Sequence, residues 1–136
     1  MCYTITDKFK RSLNTKRIDY DLFKKIIDEI GSKVSAIRLS LRGEATLHTK
    51  FIECVRYAKN NEIREVSTLT HGDKLTLDYL EKIADAGIDW ITISIDGIND
   101  TYESVRESLK FDDIYNQIKE IKQYEIKQHK DKYGLR

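Results

Sequence analysis

A parallel α/β sheet built from repeated βα units is the architecture expected of these 136 residues. Three features point to it. Segments of period two alternate with segments of helical period, the strand-like runs recur about 25 to 30 residues apart, and glycines punctuate helix ends. Tyr20, Phe23, Ile26, Ile27 and Ile30 fall on one stripe of a first helix, which Gly31 follows. Val34 to Leu41 then alternates as a first strand. Phe51, Cys54, Val55 and Ala58 mark a second helix, and Glu65 to Thr70 a second strand. Leu77, Leu80, Ile83 and Ala84 share the stripe of a third helix ending at Gly87, and Asp89 to Ile95 reads as a third strand. Ile114, Ile118 and Ile121 define a fourth helix, with Ile126 extending it, and Thr76 or Thr101 serves as an N-cap. The order is α-β-α-β-α-β-α, which gives parallel strands joined by right-handed crossovers.

Composition narrows the function. Lys and Arg number 24 against 23 Asp and Glu, a net charge of +1, which argues against a nucleic-acid partner. Charged residues make up 35% and hydrophobic ones 40%, as in a well-solvated globular protein. The longest uncharged apolar run, Trp90 to Ile95, is far short of the about 20 residues a membrane span needs. The opening MCYTITDKFKR has no apolar signal core, and Cys2 and Cys54 make no disulfide framework. A cytoplasmic protein with no membrane partner is expected. Three parallel strands have two unpaired edges and cannot close a barrel, so the chain reads as an interior piece of a larger α/β protein.

In parallel α/β proteins ligand-binding groups gather at the C-terminal ends of the strands. Each strand here ends in polar residues and a glycine: Arg42-Gly43-Glu44, Thr70-His71-Gly72, and Ser94-Ile95-Asp96-Gly97. Any one of these is equally an ordinary βα turn; three on one edge favour a site. Glu44, just past a strand and beside a glycine, suits an ammonium group, or else is a solvated carboxylate or a partner of Arg42. Ser94 and Asp96 share one strand face and can hold vicinal hydroxyls of a ribose, unless Asp96 merely caps the next helix. Arg106 can fold back over the strand ends to bind a carboxylate, or stay solvated. His48, His71 and His129 show no metal-ligand spacing, and Cys54 sits on a core stripe.

Four ordered motifs carry a family resemblance. Ile37-Arg-Leu-Ser-Leu-Arg-Gly-Glu-Ala-Thr-Leu-His48, followed by Tyr57-Ala-Lys-Asn-Asn61, resembles the second strand and helix of radical S-adenosylmethionine enzymes. Val66-Ser-Thr-Leu-Thr-His-Gly-Asp-Lys-Leu-Thr76 is similar to their third strand. Ala86-Gly-Ile-Asp-Trp-Ile-Thr-Ile-Ser-Ile-Asp-Gly97 is similar to their fourth, and Tyr102 to Ile118 to the segment after it. The resemblance implies part of a TIM-like (βα)6 partial barrel, with second to fourth strands at about 34–41, 65–70 and 89–95. It implies a 4Fe–4S cluster on a C-x3-C-x2-C loop, S-adenosylmethionine on the open iron, and a 5′-deoxyadenosyl radical that abstracts a substrate hydrogen. An electron donor such as a flavodoxin or ferredoxin follows, with a peptide, protein or sugar-type substrate.

By position, the resemblance makes Cys2 the third cluster thiolate and Gly43-Glu44 the end of a Gly-Gly-Glu motif on the methionine ammonium. Ser94 and Asp96 become candidates for the ribose and carboxylate contacts, and Arg106 for the carboxylate. Arg42, Ala45 and His71 depart from the family's glycine, proline and asparagine. The first strand, two cluster cysteines and the fifth and sixth strands are missing from the pattern. The chain alone is therefore expected to be inactive, as a truncated product or incomplete reading frame. The alternatives are a non-catalytic remnant or binding half-domain, and a cofactor-independent barrel enzyme using Glu44 and His71 as acid and base.

Overall fold

Asp19 starts the first helix by accepting hydrogen bonds from the Asp21 and Leu22 amides at 3.0 and 3.1 Å, which satisfies two otherwise unpaired donors. The computed structural model describes residues 17–40, 43–106 and 109–127. Within them lie α1 (Tyr20–Ile30), β1 (Ala36–Arg38), α2 (Phe51–Asn60), β2 (Glu65–Thr70), α3 (Leu77–Asp85), β3 (Trp90–Ile93), α4 (Asn99–Val105) and α5 (Phe111–Lys127). Short 3-10 turns cover Gly31–Lys33 and Ala45–Leu47. The strand positions match the sequence reading, but the paired spans of β1 and β3 are shorter than 34–41 and 89–95. Among the described residues each of these strands has β2 alone as a neighbour, so its ends lie beyond regular pairing.

The sheet is parallel with order β1-β2-β3, so chain order is spatial order, as in an arc of a TIM-like barrel. Ile37 pairs with Val66, and Thr68 with Ile91. That register puts Ile37, Val66, Thr68, Thr70, Ile91 and Ile93 on one face and Ser67, Leu69, Trp90, Thr92 and Ser94 on the other. The first face meets the helices: Val55, Ala58, Val66, Leu80, Ile83 and Ile91 are all fully buried in one cluster with Phe23, Ile27 and Phe51. Full burial of each large aliphatic side chain contributes roughly 1.5–3 kcal/mol.

Thr76 caps α3, its hydroxyl accepting from the Tyr79 amide at 3.3 Å. Thr101 does not act as a cap. It lies inside α4, a helix the hydrophobic periodicity did not reveal, whose N-cap is Ile98 with no side-chain bond. The α3 end is a Schellman turn: the Gly87 amide donates to Ala84 O and the Ile88 amide to Ile83 O. In α5, Ile114 and Ile121 are buried as their spacing predicts. No helix of the described residues is long and apolar enough to cross a membrane.

Candidate functional site

The loops after β1, β2 and β3 all leave the C-terminal edge of the sheet, and they bring most of the expected site residues together. Glu44 lies two residues before Thr46. That spacing lets its carboxylate start the Ala45–Leu47 turn, with Oε1 accepting from the Thr46 amide at 3.1 Å and the Thr46 hydroxyl at 2.6 Å. Its other oxygen reaches across to the loop after β2 and accepts from the His71 amide at 3.0 Å. The side chain is only 8% exposed. Burial alone would raise its pKa, but the hydrogen bonds from Thr46, the His71 amide and the Thr70 hydroxyl outweigh burial and hold it below the usual value. Glu44 is therefore an ionised, backbone-anchored carboxylate and not a solvated one; Arg42, the partner the sequence also offered, lies outside the described residues.

The imidazole of His71 stands beside the same carboxylate, Nε2 to Oε2 at 3.5 Å. Its Nδ1 accepts from the Asp73 amide at 3.3 Å, which leaves the proton of the neutral ring on Nε2, facing Glu44. Tyr79 completes the support, its hydroxyl donating to Thr46 O at 3.2 Å. Burial, reinforced by the charges of Glu44 and Glu53, pushes the Tyr79 phenol up to about 12, so it stays a donor. Thr46 and Tyr79 escaped the sequence reading, and Thr70 was placed in a strand-end loop without a role of its own. The carboxylate-x-Thr spacing was the one available signal for Thr46, and nothing local marks Tyr79.

Two glycines shape these loops. Gly43 has φ +81° with open space around its α-carbon, a turn requirement only. Gly72 has φ +95°, and a β-carbon there would fall 2.2 Å from Ile114 Cδ1, so this turn also packs directly against α5.

At the exit of β3, Ser94, Asp96 and Arg106 form one cluster. Arg106 Nε donates to Asp96 Oδ2 at 2.6 Å, while its Nη2 ion-pairs with the same oxygen and donates to Ser94 Oγ at 3.3 Å. Asp96 does not cap α4; it binds the arginine. The two side chains are 40% and 23% exposed, so solvent screens the pair. Arg106 does fold back over the strand ends, as the sequence suggested.

A cavity of about 630 Å³ runs along β1 between α1 and α2, lined by Phe23, Ile27, Ile37 and Phe51 and reaching Gly43 and Glu44. Cys54 lines its wall and is 5% exposed. Burial and the neighbouring Glu53 charge push its thiol up to about 11, unlike a thiolate ligand. Cys2 lies outside the described residues. Among the described residues no three His, Cys, Asp or Glu side chains converge to hold a metal. The residues in view thus fit a polar, charged small molecule at the loops, and they do not by themselves fit an iron–sulfur cluster.

Comparison with known proteins accords with this geometry. The chain is 35% identical over 79 residues to the "Probable GTP 3',8-cyclase" of Methanococcus maripaludis, a stretch covering 53% of this chain and 26% of that protein. It is 33% identical over 81 residues to the tungsten-containing aldehyde ferredoxin oxidoreductase cofactor-modifying protein of Pyrococcus furiosus, covering 58% and 22%. The matched stretch is thus about a quarter of the length of these relatives. The crystal structure of BtrN in complex with AdoMet and 2-DOIA superimposes with a TM-score of 0.58 at 22% identity, over 75% of this chain and 43% of that one, a likeness of fold. The radical SAM family model matches residues 1–134. With the parallel arc of strands and the loop-borne carboxylate in place, the chain belongs to the radical S-adenosylmethionine superfamily, whose enzymes use a 4Fe–4S cluster and S-adenosylmethionine.

Proposed function

We propose that the C-terminal edge of this sheet binds S-adenosylmethionine for a radical S-adenosylmethionine enzyme that includes this chain. The observation that carries the reading is Glu44. It is ionised, fixed by backbone amides of two loops, and placed at the exit of β1, where Gly43 leaves space. The Thr46, Thr70 and His71 donors fix the carboxylate without neutralising it, and a ligand ammonium would pair with its charge. Ser94 and Asp96 would take the ribose hydroxyls and Arg106 the carboxylate. Because Asp96 and Arg106 hold each other, the ligand would exchange with that ion pair, its carboxylate replacing Asp96 on the guanidinium. Cys2 would be one thiolate of the cluster, and the buried Cys54 would stay a core residue. When bound, the cluster and S-adenosylmethionine supply the radical chemistry; the residues of this chain orient and neutralise the ligand.

The lowered pKa of Glu44 and its backbone anchoring speak against an acid–base role with His71. Substrate, electron donor and cytoplasmic location stay with the family expectation; a peptide, protein or sugar-type molecule and a flavodoxin or ferredoxin are the proposals. The test is calorimetric titration of the chain with S-adenosylmethionine. Saturable binding weakened at least ~10-fold, about 1.4 kcal/mol, by Glu44→Gln and by Arg106→Ala is the expected result. Binding that is absent, or indifferent to both substitutions, would overturn the proposal.

A further inference from the structure

The Tyr102 hydroxyl and the Gln117 side-chain oxygen are both buried without a hydrogen-bond partner among the described residues. Tyr102 is fully buried, its ring packed edge-on against Phe111 at 5.8 Å. Native proteins rarely leave such atoms orphaned, so both call for an occupant. Both residues line the same cavity, about 100 Å³, between the loop after β2 and the start of α5. His71, Asp73, Lys110 and Asp113 complete its polar wall.

The lysine and imidazole donors of this wall are already engaged. Lys110 Nζ is held by Glu103 at 2.5 Å. The His71 ring accepts from the Asp73 amide and turns Nε2 to Glu44. Beside the Tyr102 O–H and the Gln117 amide N–H groups, what remains is rich in acceptors: the Gln117 oxygen, the lone pairs of the Tyr102 hydroxyl, and the exposed Asp73 and Asp113 carboxylates, neither of which has an ion pair among the described residues. A divalent cation asks for more converging carboxylates than this wall supplies, and none of the described groups makes such a set. We propose that the Tyr102–Gln117 cavity binds a compact monovalent cation, of the size and chemistry of K⁺ or a primary ammonium group. The occupant would brace the turn whose His71 amide holds Glu44, and the inference stands independently of what Glu44 itself binds.

Thermal unfolding of the full chain, followed by circular dichroism in choline, potassium, ammonium and methylammonium chloride at matched ionic strength, tests this. Potassium and ammonium should raise Tm over choline by roughly 3 °C. Tyr102→Phe and Gln117→Leu should each erase that difference. If methylammonium stabilises equally, the site takes the amine end of a larger molecule; if it does not, the site takes the free ion. Equal Tm in all four salts would overturn the proposal and mark the cavity as water-filled. A cation response that survives Gln117→Leu would overturn it as well, even where Tyr102→Phe does not fold. Since the readout is stability, it is unaffected by failure of S-adenosylmethionine binding.

Discussion

The two carboxylates at the sheet edge, Glu44 and Asp96, are held in opposite ways. Glu44 is 8% exposed and bound by backbone amides from two loops, so the fold itself sets its position. Asp96 is 40% exposed and bound by one arginine side chain, so rotamers set its position and a ligand can displace it. Fixed and exchangeable charges thus share one edge of the sheet. The first kind suits recognition of a constant group, and the second suits a partner that must come and go.

Substitutions can break this contrast or sharpen it. The largest effect is expected at Gly72, whose turn carries the His71 amide to Glu44. Gly72→Ala combines a strained positive φ with overlap onto Ile114 and should cost about 3 kcal/mol in urea unfolding. Next, Glu44→Ala leaves the buried amides unanswered and should cost about 2 kcal/mol. The same carboxylate gives a pH signature. Its folded pKa lies below the ordinary 4.5, so its stabilisation is complete above that pH and is lost as pH falls through the folded value. Acid unfolding of Glu44→Gln should lack this component, and profiles that run parallel below pH 4.5 would refute the anchored, ionised state. Gly43→Ala, with open space around it, should cost only about 1 kcal/mol. Asp96→Asn should change stability by less than about 0.5 kcal/mol, as a screened pair does, while altering S-adenosylmethionine affinity in titration. A stability loss there as large as at Glu44 would erase the contrast.

The sheet, three of the helices around it and the Ile114–Ile121 face of α5 could be read from the sequence because hydrophobic periodicity is a local property that burial later obeys. The short α4 could not, since it has no side-chain cap and is pinned by one buried tyrosine. The end of α2 was hidden too: its left-handed residue is Glu62, φ 66°, where a glycine would have announced a Schellman turn. In the site, strand-end position located Glu44, Ser94, Asp96 and Arg106. Who binds whom stayed hidden, because the amide of His71 reaches Glu44 from 27 residues away and the hydroxyl of Tyr79 reaches Thr46 from 33, and both depend on the folded register.

At the opposite, N-terminal edge, Asp89 accepts from the Val66 amide at 2.6 Å and from Lys59 Nζ at 2.9 Å, and its own amide donates to Val66 O. That reciprocal clasp pins where β3 begins against β2. A slip of a single residue there would turn Ser94 toward the helices and bring Ile93 and Ile95 to the ligand face. The chemistry of the loops thus depends on a lock at the far end of the strands. Loop sequences above it can vary away from the Glu44 and Gly72 turns, provided that lock is kept.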